Sequence, residues 1–155
     1  MRSCRIITGA KGSGKTSVME DLAEEEKEPQ GFVSVNVGTG YVLVNLATGE
    51  EQLLLAEKGF FPDQTGCWSY DQRLFGQANE VLAGLSSGTV FIDEAGRLEL
   101  SGGGFAPGIR ALQDKDVDLV IAVRDAFVDE VIDAFSLDSC PLTVSEVIPA
   151  EEDES

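Results

Sequence analysis

The sequence predicts an α/β protein built on a mostly parallel sheet, with an antiparallel hairpin extension. Three observations lead there. Strand-like apolar runs alternate along the chain with segments of helical periodicity, the order that yields a parallel sheet with right-handed crossovers. The runs "TVFIDE" and "DLVIAV" carry apolar residues without a polar alternate, as expected of strands covered on both faces. Between residues 32 and 56, three short β-prone stretches are separated by Gly-Thr-Gly and Ala-Thr-Gly-Glu turns, and such short connections imply antiparallel pairing.

The first element is a strand around "CRIIT", and the chain leaves it through "GAKGSGKT" into the helical segment "TSVMEDLAEE". Gly9, Gly14, Lys15 and Thr16 fit G-x-x-x-x-G-K-[ST]. Glycine in this number costs backbone entropy, so an ordinary turn has no need of it. What the spacing provides is a backbone whose N–H groups point inward at a phosphate chain with no side chain in the way. Gly9, Ala10, Lys11, Gly12, Ser13, Gly14, Lys15, Thr16 and Ser17 form the expected nucleotide-binding stretch. Lys15 is placed at the terminal phosphates and Thr16 at Mg²⁺, with the positive end of the helix dipole behind them.

Next come the strands Phe32 to Val37, Tyr41 to Leu46 and Gln52 to Ala56. Gly38 and Gly40 read as hairpin punctuation, because no helix follows them. Lys58 to Tyr70 reads as irregular. Leu74, Ala78, Val81, Leu82 and Leu85 recur at helical spacing, and Gly84 and Gly88 close that helix. "TVFIDE" is then a central strand, "SGGGF" a loop, Pro107 to Gln113 a helix, and "DLVIAV" a second buried strand. "AFVDEVIDAF" is an amphipathic helix with Phe127, Val131 and Phe135 on one stripe, and "PLTVSEVI" is the last strand. One domain is expected over residues 1–149, followed by an acidic tail, 150–155.

Ligands of such sheets lie at the carboxyl ends of the strands. Asp93 and Glu94 end "VFID" on the edge where the glycine loop would place phosphates. Asp93 is the candidate second metal residue beside Thr16, and Glu94 is the candidate to orient, or take a proton from, an attacking water. Transition-state charge calls for a further cation. Arg97, three residues past Glu94, and Arg124, at the end of "VIAV", are the leading candidates, with Arg73 behind them. Trp68 and Tyr70 are candidates to stack on a base.

The 28 acids against 11 bases give a net charge of −17, which disfavours nucleic acid as a partner. No acid lies among the first sixteen residues, however, where Arg2, Arg5, Lys11 and Lys15 can make the field around the loop positive. No apolar run approaches the length of a membrane span and no secretory leader is evident, so a cytoplasmic protein is expected. Three separated cysteines and no histidine argue against a disulfide framework or a zinc site.

The stretches "TGAKGSGKT", "GFVSVNVGTGYVLVNLATGE", "FIDEAGRLEL" and "FAPGIRAL" together resemble the cancer-related nucleoside-triphosphatase family of small P-loop proteins. The family's Asp-Glu-x-Gly-x-x-Glu-Leu pattern falls on Asp93 to Leu100. The resemblance implies a RecA-like three-layer α/β/α fold and slow, Mg²⁺-dependent hydrolysis of nucleoside triphosphates such as ATP or GTP, with loose base selectivity. Two other readings share the loop: a small-molecule or nucleotide kinase, which ought to carry an arginine-rich lid, and a nucleotide-dependent switch or adaptor whose protein partner the sequence does not name.

Overall fold

The computed structural model of the protein describes residues 1–148. Along the chain run β1 (Ser3–Gly9), α1 (Lys15–Glu24), β2 (Gln30–Asn36), β3 (Tyr41–Asn45), β4 (Glu51–Glu57), β5 (Asp63–Thr65), β6 (Trp68–Tyr70), α2 (Gln72–Ala83), β7 (Ser87–Ala95), α3 (Arg97–Leu100), α4 (Ala106–Leu112), β8 (Asp116–Arg124), α5 (Val128–Phe135) and β9 (Leu142–Glu146). Single 3₁₀ turns lie at Asp125–Phe127 and Leu137–Ser139. The acidic stretch 150–155 and the end of the expected domain lie outside the described residues.

The strands form one sheet in the order β5-β6-β4-β3-β2-β7-β8-β1-β9. From β2 to β9 every neighbouring pair is parallel. From β2 outward to β5 every pair is antiparallel. This is the expected three-layer α/β/α architecture with a hairpin extension. Helices cover both faces because the central strands have no polar face. Ile6, Val90, Ile92, Leu119 and Ile121 pack with residues of α2, α4 and α5, while Ile7, Phe91, Val120 and Ala122 pack with Met19 and Ala23 of α1. The alternation of side chains along each strand sends successive residues to opposite layers.

The parallel and antiparallel halves join at β2 and β7. Gly31 there has φ +98°, and a β-carbon would run into the Phe91 backbone carbonyl, so only glycine lets the strands meet. At the β2–β3 turn the Gly38 N–H bonds the Asn36 side-chain oxygen at 2.7 Å and the Val37 N–H bonds the Gly40 carbonyl at 2.9 Å, as hairpin punctuation requires.

The elements depart from the sequence-based expectation in two places, Lys58 to Tyr70 and Phe127. Lys58 to Tyr70 is not wholly irregular: it contains the hairpin β5–β6, two three-residue strands too short to show a pattern, tied down by the buried Ser69 hydroxyl bonding the Glu57 carbonyl at 2.7 Å. A one-turn helix, α3, stands between β7 and the glycine-rich loop, in a stretch for which the sequence reading named no element. Phe127 lies outside α5, in the 3₁₀ turn that precedes it, while still packing against the core cluster that holds Val131 and Phe135. All three cysteines are free, with Cys4 buried and its thiol pushed up to about 12 by that burial.

Candidate nucleotide site

The turn out of β1 is fitted to the residues the sequence supplies. Gly9 has no room for a side chain, since a β-carbon would lie 2.5 Å from the Ser13 hydroxyl and 2.8 Å from the Val147 carbonyl. Gly12 and Gly14 hold φ of +77° and +99°, left-handed values that favour glycine, and α1 starts immediately after them. Lys15, the first residue of α1, is buried and folds back over the turn, donating to the carbonyls of Ala10 at 3.0 Å and Gly9 at 3.3 Å. Its ammonium also stands 3.8 Å from the Glu94 carboxylate, whose side chain is 46% exposed.

Register brings the second half of the site alongside. Gly9 on β1 pairs with Arg124 on β8, and Asp93 on β7 pairs with Ala122, two residues earlier on β8. The β7–β8 register shifts after Asp93, so that Ala95, not Glu94, pairs with Val123. The Asp93–Glu94 peptide is cis. Asp93 is buried, and Glu94 is exposed and lines the cleft. The Thr16 hydroxyl donates to the Asp93 carboxylate at 2.8 Å, and the Ser34 N–H donates to the same oxygen at 3.2 Å. Burial pushes the Asp93 carboxyl up to about 6 against the pull of these two bonds. A buried carboxylate beside a hydroxyl is a pair of hard oxygen donors, a donor set that suits Mg²⁺. No group of three or more acidic, cysteine or histidine residues placed to hold a metal is found among the described residues.

Past Glu94, the carboxylate of Glu99 accepts from the Gly96 N–H at 2.8 Å and the Phe105 N–H at 3.0 Å, tying the end of β7 to the start of α4. Burial raises its carboxyl to about 7. Sequence reading assigned Glu99 no role of its own. Its signal was an acid three residues into a helix turn, the spacing at which a carboxylate reaches back to a free N–H.

A cleft of about 700 Å³ opens over this edge. Lys11 through Ser17, Asp93, Glu94, Arg97 and Arg124 all line it. Gly9 and Ala10 contribute their carbonyls to Lys15 instead. The two arginines share one support, their guanidinium carbons lying 5.8 Å (Arg97) and 5.3 Å (Arg124) from the Phe127 ring centre. Arg73 does not line the cleft. Trp68 does, but Tyr70 packs edge-on against Phe75 at 5.7 Å, and Tyr41 stands beside Trp68 in its place. Only strand pairing could have nominated Tyr41.

A strand, a glycine turn and a helix whose second residue bonds an aspartate on a nearby parallel strand define a P-loop nucleotide-binding protein. Residues 4–151 match the profile of the NTPase family, and the chain belongs to that family. Its fold is similar to the crystal structure of THEP1 from the hyperthermophile Aquifex aeolicus, with a TM-score of 0.74 at 22% identity over 97% of this chain and 93% of that one. It is also similar to the solution structure of a human cancer-related nucleoside triphosphatase, with a TM-score of 0.70 at 24% identity over 98% and 90% of the two chains. No protein of curated function matches the sequence. No helix among the described residues is long and apolar enough to cross a membrane.

Proposed function

We propose that the protein hydrolyses nucleoside triphosphates to diphosphate and phosphate in a Mg²⁺-dependent reaction, slowly and with broad base selectivity. The observation that carries this reading is the Thr16–Asp93 hydrogen bond, made while Lys15 lies within 4 Å of Glu94: loop, metal pair and candidate base share one cleft edge.

Thr16 and Asp93 are the residues to hold the ion, directly or through water. Bound there, it would supply charge neutralisation at the β- and γ-phosphate oxygens. The chain's own residues do the rest. The N–H groups of the loop bind the phosphates, and Lys15 exchanges the Gly9 and Ala10 carbonyls for phosphate oxygens, which are stronger acceptors because they are charged. Glu94, half exposed and hence in touch with solvent, orients a water on the γ-phosphate and receives its proton. Arg97 and Arg124 supply positive charge as the transferring group separates. A kinase is less well supported, since the cations of the cleft sit on fixed elements and the hairpin extension puts no arginine into it.

The test is phosphate release by the purified protein across the common ribo- and deoxyribonucleoside triphosphates, with and without Mg²⁺. Release from several of them that stops when Mg²⁺ is chelated is the expected result. Little phosphate release, with transfer of the labelled γ-phosphoryl group to an added hydroxyl acceptor, would replace the hydrolase reading with the kinase one.

A further inference from the structure

The cleft continues past the phosphate-binding residues. Beyond Ser34 its wall is built from β2, β3 and the β5–β6 hairpin, where Tyr41 and Trp68 stand edge to face, ring centres 5.5 Å apart at 81°. Both are partly exposed. Their positions are set by the sheet, not by loops: Tyr41 opens β3 and pairs with Leu55 of β4, and Trp68 opens β6 and pairs with Glu57 of the same strand. The Asn36 side-chain amide donates to the Tyr41 hydroxyl at 3.4 Å.

Charge divides the cleft in two. Its lysines and arginines are Lys11, Lys15, Arg97 and Arg124, on the glycine loop and at the ends of β7 and β8. The Tyr41–Trp68 end has none, and Glu20, one helical turn past Thr16, adds a negative charge to the cleft wall. A group held at that end is therefore not a phosphate, and two partly exposed aromatic rings lining the cleft suit a flat one.

We infer that this end of the cleft is a subsite for an uncharged heteroaromatic ring, a nucleobase, held against Tyr41 and Trp68 while phosphates occupy the glycine loop. The inference rests on the nucleotide reading above. Every base has a π-face, so a stacking grip is tolerant of base identity, which gives broad selectivity a physical cause. The ring has two possible sources with the same chemistry: the bound triphosphate's own base, or a separate nucleoside beside the phosphates.

Trp68 is the chain's only tryptophan, so its emission reports directly on the subsite. The experiment titrates the protein with MgATP, with magnesium tripolyphosphate, which has the phosphates but no ring, and with adenosine in the presence of tripolyphosphate. Saturable quenching by MgATP and none by tripolyphosphate supports the subsite and assigns it to the triphosphate's own base. In that case ATP binds about tenfold more tightly than tripolyphosphate, Tyr41→Leu brings the ratio towards one, and Tyr41→Phe keeps it. Quenching by adenosine but not by MgATP supports the subsite with a separate nucleoside as its occupant. An emission that no ring-bearing ligand moves, while calorimetry shows ATP bound, overturns the subsite and leaves the phosphate site standing. If neither ATP nor tripolyphosphate binds, the underlying reading falls with it. The wild-type titrations decide the matter even if Tyr41→Leu does not fold.

Discussion

Thr16 and Asp93, 77 residues apart in sequence, are joined by a hydrogen bond of 2.8 Å at the carboxyl edge of the sheet. The bond makes the end of the glycine loop and the end of β7 one unit, so under the proposed function disturbing either residue disturbs the site of the same ion. Asp93→Asn and Thr16→Ala should each lower phosphate release about a hundredfold or more while leaving metal-free nucleotide affinity within a few fold. Phosphate release against Mg²⁺ concentration, with nucleotide binding followed separately in chelator, checks this. Equal loss of affinity with and without metal would assign the pair a purely structural role.

Glu94 and Lys15 are neighbours with different tasks. Glu94→Gln should keep MgATP binding and lose roughly 10² to 10⁴ in kcat, the range for removing a positioned acid or base. Lys15→Ala should weaken binding and turnover together. Single-turnover kinetics beside calorimetry separates the two cases, and undiminished turnover in Glu94→Gln takes that residue out of the reaction.

The arginines lean on one ring, and β8 sets Arg124 abreast of Gly9. Arg124→Ala should therefore lower kcat on the order of a hundredfold, with Arg97→Ala costing less and KM moving little in either. Phe127→Leu should reproduce part of both losses. Steady-state kinetics on the three variants reads the order directly.

Glu99 gives stability a pH dependence of known sign. Its carboxyl is raised by burial from 4.5 to about 7, so between those values the folded chain holds a proton that the unfolded chain releases. Stability from this group accordingly falls as pH rises through that window, at up to about 1.4 kcal/mol per pH unit. Subtracting the urea-unfolding curve of Glu99→Gln from that of the wild type, across pH 4.5 to 7.5, isolates the slope. A flat difference would show that Glu99 titrates as an ordinary carboxyl.

Much of this was legible before any coordinates. Alternating apolar runs gave the parallel half because strands covered on both sides leave an unambiguous pattern, and the glycine spacing marked the turn from β1 into α1. Asp93 and Glu94 could be placed together since a strand's end has a known position in such sheets. The rest depended on pairing. Tyr41 is an ordinary β-residue until the β5–β6 hairpin sets Trp68 next to it, and three-residue strands carry too few residues to show a period. Phe127 read as part of the last helix, since a 3₁₀ turn ahead of α5 leaves the apolar spacing unchanged.

The segregation of the cleft's cations at its phosphate end, in a chain of net charge −17, bears on how fast a polyphosphate arrives. At a distance an approaching trianion or tetraanion meets the molecule's overall repulsion, and only within about 8 Å at physiological salt does the local attraction take over. Added monovalent salt shortens the range of the repulsion first, so the association rate should rise with ionic strength over low concentrations, the reverse of electrostatically steered capture.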